Sequence, residues 1–154
     1  MYAKILILLN LAAFAFVASQ PLFYLLALSH TQKKLSAASY IELRQLLDKA
    51  LQVRLSALYY LTLTFALALV IFSLVNAAYF LFTTSFIALI ALVIDVTMAL
   101  KTNIPINKII NRWDCDNYPR HWQLLRRKWF YFFQIRQVAG IIGFVSLLVG
   151  AVFS

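Results

Sequence analysis

The sequence predicts an all-α integral membrane protein: a bundle of four transmembrane helices in a single domain over 1–154, with cytoplasmic extensions of helices 2 and 4. Three observations predict it. The 154 residues are 64% hydrophobic and 12% charged, against about 25% charged residues in an ordinary soluble domain. Mean hydropathy is +0.84, too much apolar surface for one core of this size to enclose, so lipid must be part of the solvent. Four apolar runs, at about 5–28, 55–75, 79–100 and 130–153, each reach the ~20 residues that cross a ~30 Å hydrocarbon layer. Strand-like alternation in segments of about ten residues is absent. Helices are then the way to satisfy the backbone in hydrocarbon.

The first run begins like a signal peptide. Lys4 precedes an apolar stretch, and Val17-Ala18-Ser19 offers a small-residue cleavage site. The run continues through Phe23 and Tyr24 to Leu28, and Pro21 would follow the cut closely, which favours a true span. The second run follows a capping-box pattern, Ser39-Tyr40-Ile41-Glu42, in which Ser and Glu satisfy backbone donors at a helix start. No Gly or Pro interrupts the chain from there to Val75, which predicts one long helix. A tight connection at Asn76, Ala77 and Ala78 leads to the third run, which Pro105 is expected to end. Residues 103–113 then form a short interfacial turn or helix. Pro119 suits the first turn of the fourth helix, with 121–128 as a charged stem. Trp113, Tyr118, Trp122, Trp129 and Tyr131 suit an aromatic belt at that boundary.

Charge sets the expected orientation. Lys33, Lys34, Arg44, Lys49 and Arg54 lie in or beside the first long connection. Lys101, Lys108, Arg112, Arg120, Arg126, Arg127, Lys128 and Arg136 lie in or beside the second, leaving only Lys4 of the fourteen basic residues for the other side. The positive-inside rule puts loops 29–54 and 101–129 in the cytoplasm and both termini outside it. A bacterial inner membrane is the expected location, on a charge asymmetry that other membranes share. The net charge of +9 therefore reads as topology and contact with anionic lipid, not as a nucleic-acid surface. A lone Cys115 builds neither a disulfide framework nor a zinc-finger spacing. His30, His121, Asp114, Cys115 and Asp116 are ligand types, but their spacing matches no recognised metal site. They read as solvated loop and interface residues, while His30 as a single axial haem ligand stays open; no metal or cofactor is assigned.

Helical spacing selects the inward faces. Asn10, Ala13, Val17, Gln20 and Tyr24 align on the first span, and Tyr59, Thr62, Ala66, Leu69, Ser73 and Asn76 on the second. Thr84, Ala88, Ala91, Asp95, Ala99 and Thr102 align on the third, and Arg136, Gly140, Gly143, Leu147 and Gly150 on the fourth. Small stripes of this kind let backbones approach closely. Asp95 is the most informative residue, because a bare carboxylate within a bilayer must find a partner, find water, or neutralise. It lies six residues before Lys101, and Arg136 lies seven after Trp129, at a similar depth. The two are expected partners, with Tyr59, Gln20 and Gln137 within reach. A structural ion pair and a substrate- or proton-handling site are both compatible with that pairing.

The third connection carries a motif. Asn103-Ile-Pro105-Ile-Asn107, then Arg112-Trp113-Asp114, then Trp122, Arg126, Trp129 and Arg136 resemble the anthrone-oxygenase-like family of small four-span membrane proteins. Most members have no assigned function, and a few insert oxygen into anthrones to give anthraquinones without an evident bound cofactor. The resemblance is strongest over the C-terminal third and implies that Asn103, Asn107, Trp113, Trp129 and Arg136 are signature residues. One position departs: members often carry His or Asn four residues after the tryptophan matching Trp129, and this chain has Phe133.

Oxygenation of an anthrone needs a base, a cation for the oxyanion and an apolar slot. Asp95 as base, Arg136 as oxyanion partner and Tyr59 as donor form the expected catalytic set. Gln20, Tyr24, Asn103, Asn107, Trp129 and Gln137 are the expected ligand-binding residues. The function expected is binding or oxidation of an apolar aromatic or quinone-like small molecule in the cytoplasmic half of the bundle. Two other classes stay open. One is a non-catalytic scaffold or homo-oligomerising subunit, and the other a small exporter in which Asp95 couples proton release to transport. An enzyme requires a pocket lined by Asp95 and Arg136, whereas a scaffold requires a tight pair and small-residue faces left open to lipid.

Overall fold

The computed structural model describes the backbone of residues 2–154 and, apart from residues 2, 3, 21, 22 and 25, their side chains. The Pro21 side chain, which entered the reading of the N-terminus, lies outside the described residues. Among these residues the chain is entirely helical apart from its connections. Helix α1 (Tyr2–Phe23) runs through a π-helical turn, Tyr24–Leu28, into α2 (Ser29–Lys34). Helix α3 covers Ala37–Val75. Helix α4 (Tyr79–Met98) passes through a second π turn, Ala99–Asn103, into α5 (Ile104–Ile110), and α6 covers Trp122–Phe153.

Ala37–Val75, Tyr79–Ile110 and Trp122–Phe153 are long and apolar enough to cross a membrane, and α1 adds a shorter apolar stretch, Lys4–Gln20. By length and composition this is a helical integral membrane protein. The 39 residues of α3 correspond to about 58 Å at 1.5 Å per residue, so it reaches well beyond a hydrocarbon layer of ~30 Å.

Three helix boundaries differ from the sequence reading. Helix α3 starts at Ser36 as N-cap, whose Oγ accepts the Ser39 N–H at 3.3 Å; the Ser39–Glu42 pattern lies inside the helix. Pro105 does not end the third helix. It lacks an N–H, and in a regular helix its ring would press on the carbonyl four residues back. The preceding π turn, closed by the Ile104 N–H on the Ala99 carbonyl, widens the helix there and lets it continue to Ile110. Pro119 sits before α6, not in its first turn; its carbonyl accepts the Trp122 N–H at 3.0 Å and the helix begins only at Trp122.

The expected inward faces are largely buried, except for Asn76 at the end of α3, which is exposed and donates to the Phe72 carbonyl of its own helix. Asn10, Val17, Thr62, Leu69 and Ser73 are fully enclosed, and Ala88, Asp95, Gly143 and Leu147 nearly so. Large apolar residues instead point outward from every long helix, among them Leu8, Phe16, Ile71, Ile90, Val138 and Val152. This arrangement, polar and small inside with apolar side chains outside, matches a lipid solvent. Around the bundle α1 packs against α3 and α6, and α4 packs against the same two helices. The glycine stripe of α6 is used within the chain: a Cβ on Gly143 would come within 3.0 Å of Phe14 and 3.2 Å of Ala91. Asn10 Nδ2 donates to the Phe65 carbonyl at 2.8 Å and Ser146 Oγ to the Thr84 carbonyl at 2.9 Å, joining α1 to α3 and α6 to α4.

The α3–α4 turn is a Schellman motif. The Ala78 N–H bonds the Ser73 carbonyl at 2.9 Å and the Ala77 N–H the Leu74 carbonyl at 3.2 Å. Ala77 holds φ 51° there, a position that favours glycine. Ala77→Gly is therefore expected to raise stability by roughly 0.5–1 kcal/mol, read as a higher melting temperature in detergent. Gly150→Ala is expected to act the opposite way. Its new methyl would land on the Thr84 side chain, and a loss of about 1–3 kcal/mol in the same assay is the outcome that checks the α4–α6 packing.

Candidate functional site

Three helices meet at one buried charge cluster. Asp95 on α4 is 2% exposed, and its Oδ1 accepts a hydrogen bond from Arg136 Nε of α6 at 2.6 Å. The Tyr59 hydroxyl of α3 donates to Asp95 Oδ2 at 2.7 Å and accepts from Arg136 Nη2 at 3.2 Å. Both carboxylate oxygens are thus occupied, and the guanidinium binds carboxylate and phenol together. The expected partnership of Asp95 with Arg136 exists, and Tyr59 closes it into a triangle. Gln20, Phe133 and Gln137 border the same spot, around a void of about 10 Å³.

A second and much larger space adjoins it: a cavity of about 440 Å³ bounded by α1, the first π turn, α2, α3, the second π turn, α5 and α6. Ligand sites commonly enclose about 300–1,000 Å³, so a small molecule fits. Tyr59 and Arg136 line both spaces, whereas Asp95 lines only the small void. Asp95 therefore stands behind Tyr59 and Arg136 and does not face the cavity itself.

One wall of the cavity is an alternation of cations and rings. The guanidinium carbon of Arg44 lies 3.9 Å from the centroid of Trp129. Trp129 stacks on Phe133 with centroids 4.7 Å apart and planes 19° apart. The guanidinium carbon of Arg136 lies 5.5 Å from the centroid of the Phe133 ring, and Tyr24 meets Phe133 edge-on at 4.5 Å. Phe133, the position that departs from the resembled family, here stacks on Trp129 and lines the cavity. Trp129 and Phe133 stand four residues apart on α6, which puts them one above the other on one face.

The polar end is organised by Asn107. Its Oδ1 accepts from Arg44 Nη2 at 2.8 Å and from Trp129 Nε1 at 2.9 Å, and its Nδ2 donates to Asp48 Oδ1 at 2.7 Å. Asn111 Nδ2 donates to the other Asp48 oxygen at 2.7 Å. Asn103 Nδ2 donates to the Trp129 carbonyl at 3.0 Å, and Gln45 Nε2 caps the end of α5 through the Ile110 and Trp113 carbonyls at 3.1 and 2.9 Å. Tyr24 donates to Gln32 Oε1 at 3.0 Å. Around this end Tyr40, Ile41, Ile106, Ile110 and Phe130 form a second apolar cluster.

The structure brings Gln20, Tyr24, Tyr59, Asn103, Asn107, Trp129 and Arg136 to the walls of the cavity; Asp95 and Gln137 border only the void beside it. Sequence reasoning missed Arg44, Asp48, Gln32 and Phe133 as wall residues. Arg44, Asp48, Leu51, Leu55 and Tyr59 recur at four and three residues along α3, a spacing that was available as a signal for the first two. No group of three or more His, Cys, Asp or Glu placed to hold a metal occurs among the described residues. No protein-family model, curated protein or solved structure matches the chain.

Asn107 is the joint of this end, with three partners on two other helices. Asn107→Ala is expected to cost about 2–4 kcal/mol, since it strands a buried guanidinium, an indole N–H and a carboxylate oxygen. The loss is read by thermal unfolding, together with a changed tryptophan emission as Trp129 loses its acceptor.

Proposed function

We propose that the protein is a four-span membrane protein that holds a flat, apolar aromatic or quinone-like molecule in the 440 Å³ cavity and oxidises it with dioxygen. In this reading α1 is the fourth span, both termini lie outside the cytoplasm, and the polar end with Asn107 lies on the cytoplasmic side. The basic residues gathered at that end support the orientation. The observation that carries the function is the cavity itself, about 440 Å³, with Trp129 and Phe133 in its apolar wall and the guanidinium groups of Arg44 and Arg136 among its lining residues. Such a surface suits a planar ring system bearing oxygen.

The resemblance to anthrone-oxygenase-like proteins over Asn103 to Arg136 supports an anthrone as the substrate class. An anthrone methylene loses one proton, and the electron pair left behind forms a C–O bond to dioxygen. The hydroperoxide then eliminates water with the second hydrogen, leaving the carbonyl of the quinone. Arg136 stabilises the enolate oxygen formed at the first step. The proton passes to the Tyr59 hydroxyl as Tyr59 gives its own to Asp95, with which it is already hydrogen-bonded at 2.7 Å. Asp95 acts through Tyr59 and holds Arg136 in place. The small-residue faces that would favour an oligomerising subunit are occupied inside the chain by Phe14, Ala91 and Thr84.

The test uses detergent-purified protein with 1,8-dihydroxyanthrone, following tryptophan quenching for binding and oxygen uptake for turnover. Quenching with catalysed quinone formation is expected; neither quenching nor uptake above the spontaneous rate overturns the reading. Tyr59→Phe keeps the Asp95–Arg136 pair and removes the relay. It is expected to lower turnover by roughly 10²–10⁴-fold with affinity little changed, and an unchanged rate would remove Tyr59 from the mechanism.

A further inference from the structure

The cavity's polar end has hydrogen-bonding capacity that the protein does not use. Arg44 is 7% exposed, yet among the described residues it makes no ion pair of the kind that joins Arg136 to Asp95. Its Nη2 donates to a neutral amide, Asn107, and its Nε has no partner. Asn107 bridges Arg44 to Asp48, the carboxylate one turn further along α3, accepting from Arg44 and donating to Asp48. Both Asp48 oxygens are already occupied by Asn107 and Asn111. Gln32, 1% exposed, spends its Oε1 on Tyr24 and leaves its Nε2 donor without a partner. Asn103, 2% exposed, spends its Nδ2 on the Trp129 carbonyl and leaves its Oδ1 acceptor without one. All three side chains line the same cavity.

A buried guanidinium with an unpartnered N–H and no direct carboxylate contact is costly, and buried donors and acceptors without partners are rare in folded proteins. Two free donors, one of them charged, together favour an acceptor with negative charge. One free acceptor at the second π turn requires a hydroxyl. These needs come from α2, α3 and the second π turn, and they gather around Tyr24 and Trp129: Gln32 bonds Tyr24, Asn103 bonds the Trp129 carbonyl, and Arg44 lies over the Trp129 ring.

We propose that the ligand is an amphiphilic acid, whose flat apolar body lies along Trp129 and Phe133 while a carboxylate or phenolate oxygen rests on Arg44 and Gln32 and a hydroxyl meets Asn103. This rests on the preceding reading of the cavity as an aromatic-ligand site and names the chemistry of the head group. It also orients the ligand: the acid anchors at Arg44, and the carbon that reacts is presented to Arg136 and Tyr59 at the other end of the stacked rings.

The experiment compares two probes that differ only in the head group, anthraquinone-2-carboxylate and 2-hydroxymethylanthraquinone, by quenching of tryptophan emission in detergent at neutral pH. The acid is expected to bind at least about tenfold more tightly, the scale of one charge-assisted hydrogen-bonded contact. Arg44→Gln should abolish the preference while Arg44→Lys keeps part of it, each variant being checked for its helical circular dichroism and melting temperature. Equal affinity of wild-type protein for the two probes overturns the acid-head assignment and leaves the ring site standing. Binding of neither probe overturns both. A preference for the acid that survives in folded Arg44→Gln moves the anchor away from Arg44 and overturns this assignment as well.

Discussion

The contact of Arg136 with Asp95 at 2.6 Å, closed by the Tyr59 hydroxyl, sets the registers of three helices at once. A buried carboxylate has few acceptable surroundings, and this one has both oxygens satisfied, by a guanidinium from α6 and a phenol from α3. Removing one member of such a pair leaves an uncompensated charge and costs about 3–5 kcal/mol. Sliding any one of the three helices by a residue would break at least one of these bonds. The cluster therefore acts as a registry lock, and the cavity wall that includes Tyr59 and Arg136 inherits its geometry from it.

Above and below the lock the bundle is held differently. Lipid gives helices no hydrophobic reason to associate, so close packing of small residues and a few hydrogen bonds must do so. Gly143 and Gly150 bring α6 close to Ala91 and Thr84 of α4, and the Ser146 hydroxyl adds a hydrogen bond across the same interface. Asn10 performs the corresponding role between α1 and α3. The apolar side chains that would form the core of a soluble bundle cover its outside.

At the polar end the logic changes again. Tyr40, Ile41, Ile110 and Phe130 form an ordinary apolar cluster, and the Arg44–Asn107–Asp48 network is built beside it. The cavity occupies the space between this end and the charge lock, and both π turns contribute to its wall through Tyr24, Leu28, Ala99 and Asn103. π turns inside α-helices are rare and frequently occur at functional sites. Here they redirect side chains of two helices toward one space without ending either helix.

The sequence alone determined what depends on local composition and period. Hydrocarbon admits few backbone solutions, so the helical membrane class was legible from composition and run length. A period of 3.6 put Asn10, Thr62, Asp95 and Gly143 on inward faces, and matching depths brought Asp95 to Arg136. The tertiary structure decided what depends on which helix lies opposite. Arg44 in sequence is one of several basic residues flanking a span; only the meeting of α3 with α5 and α6 turns it into a buried cation over Trp129. Pro105 reads locally as a helix end, but a π turn lets α4 continue into α5, where Asn107 meets Arg44, Asp48 and Trp129. Periodicity describes one helix at a time, whereas a site is made of atoms from several, brought together by packing energies that no single segment contains.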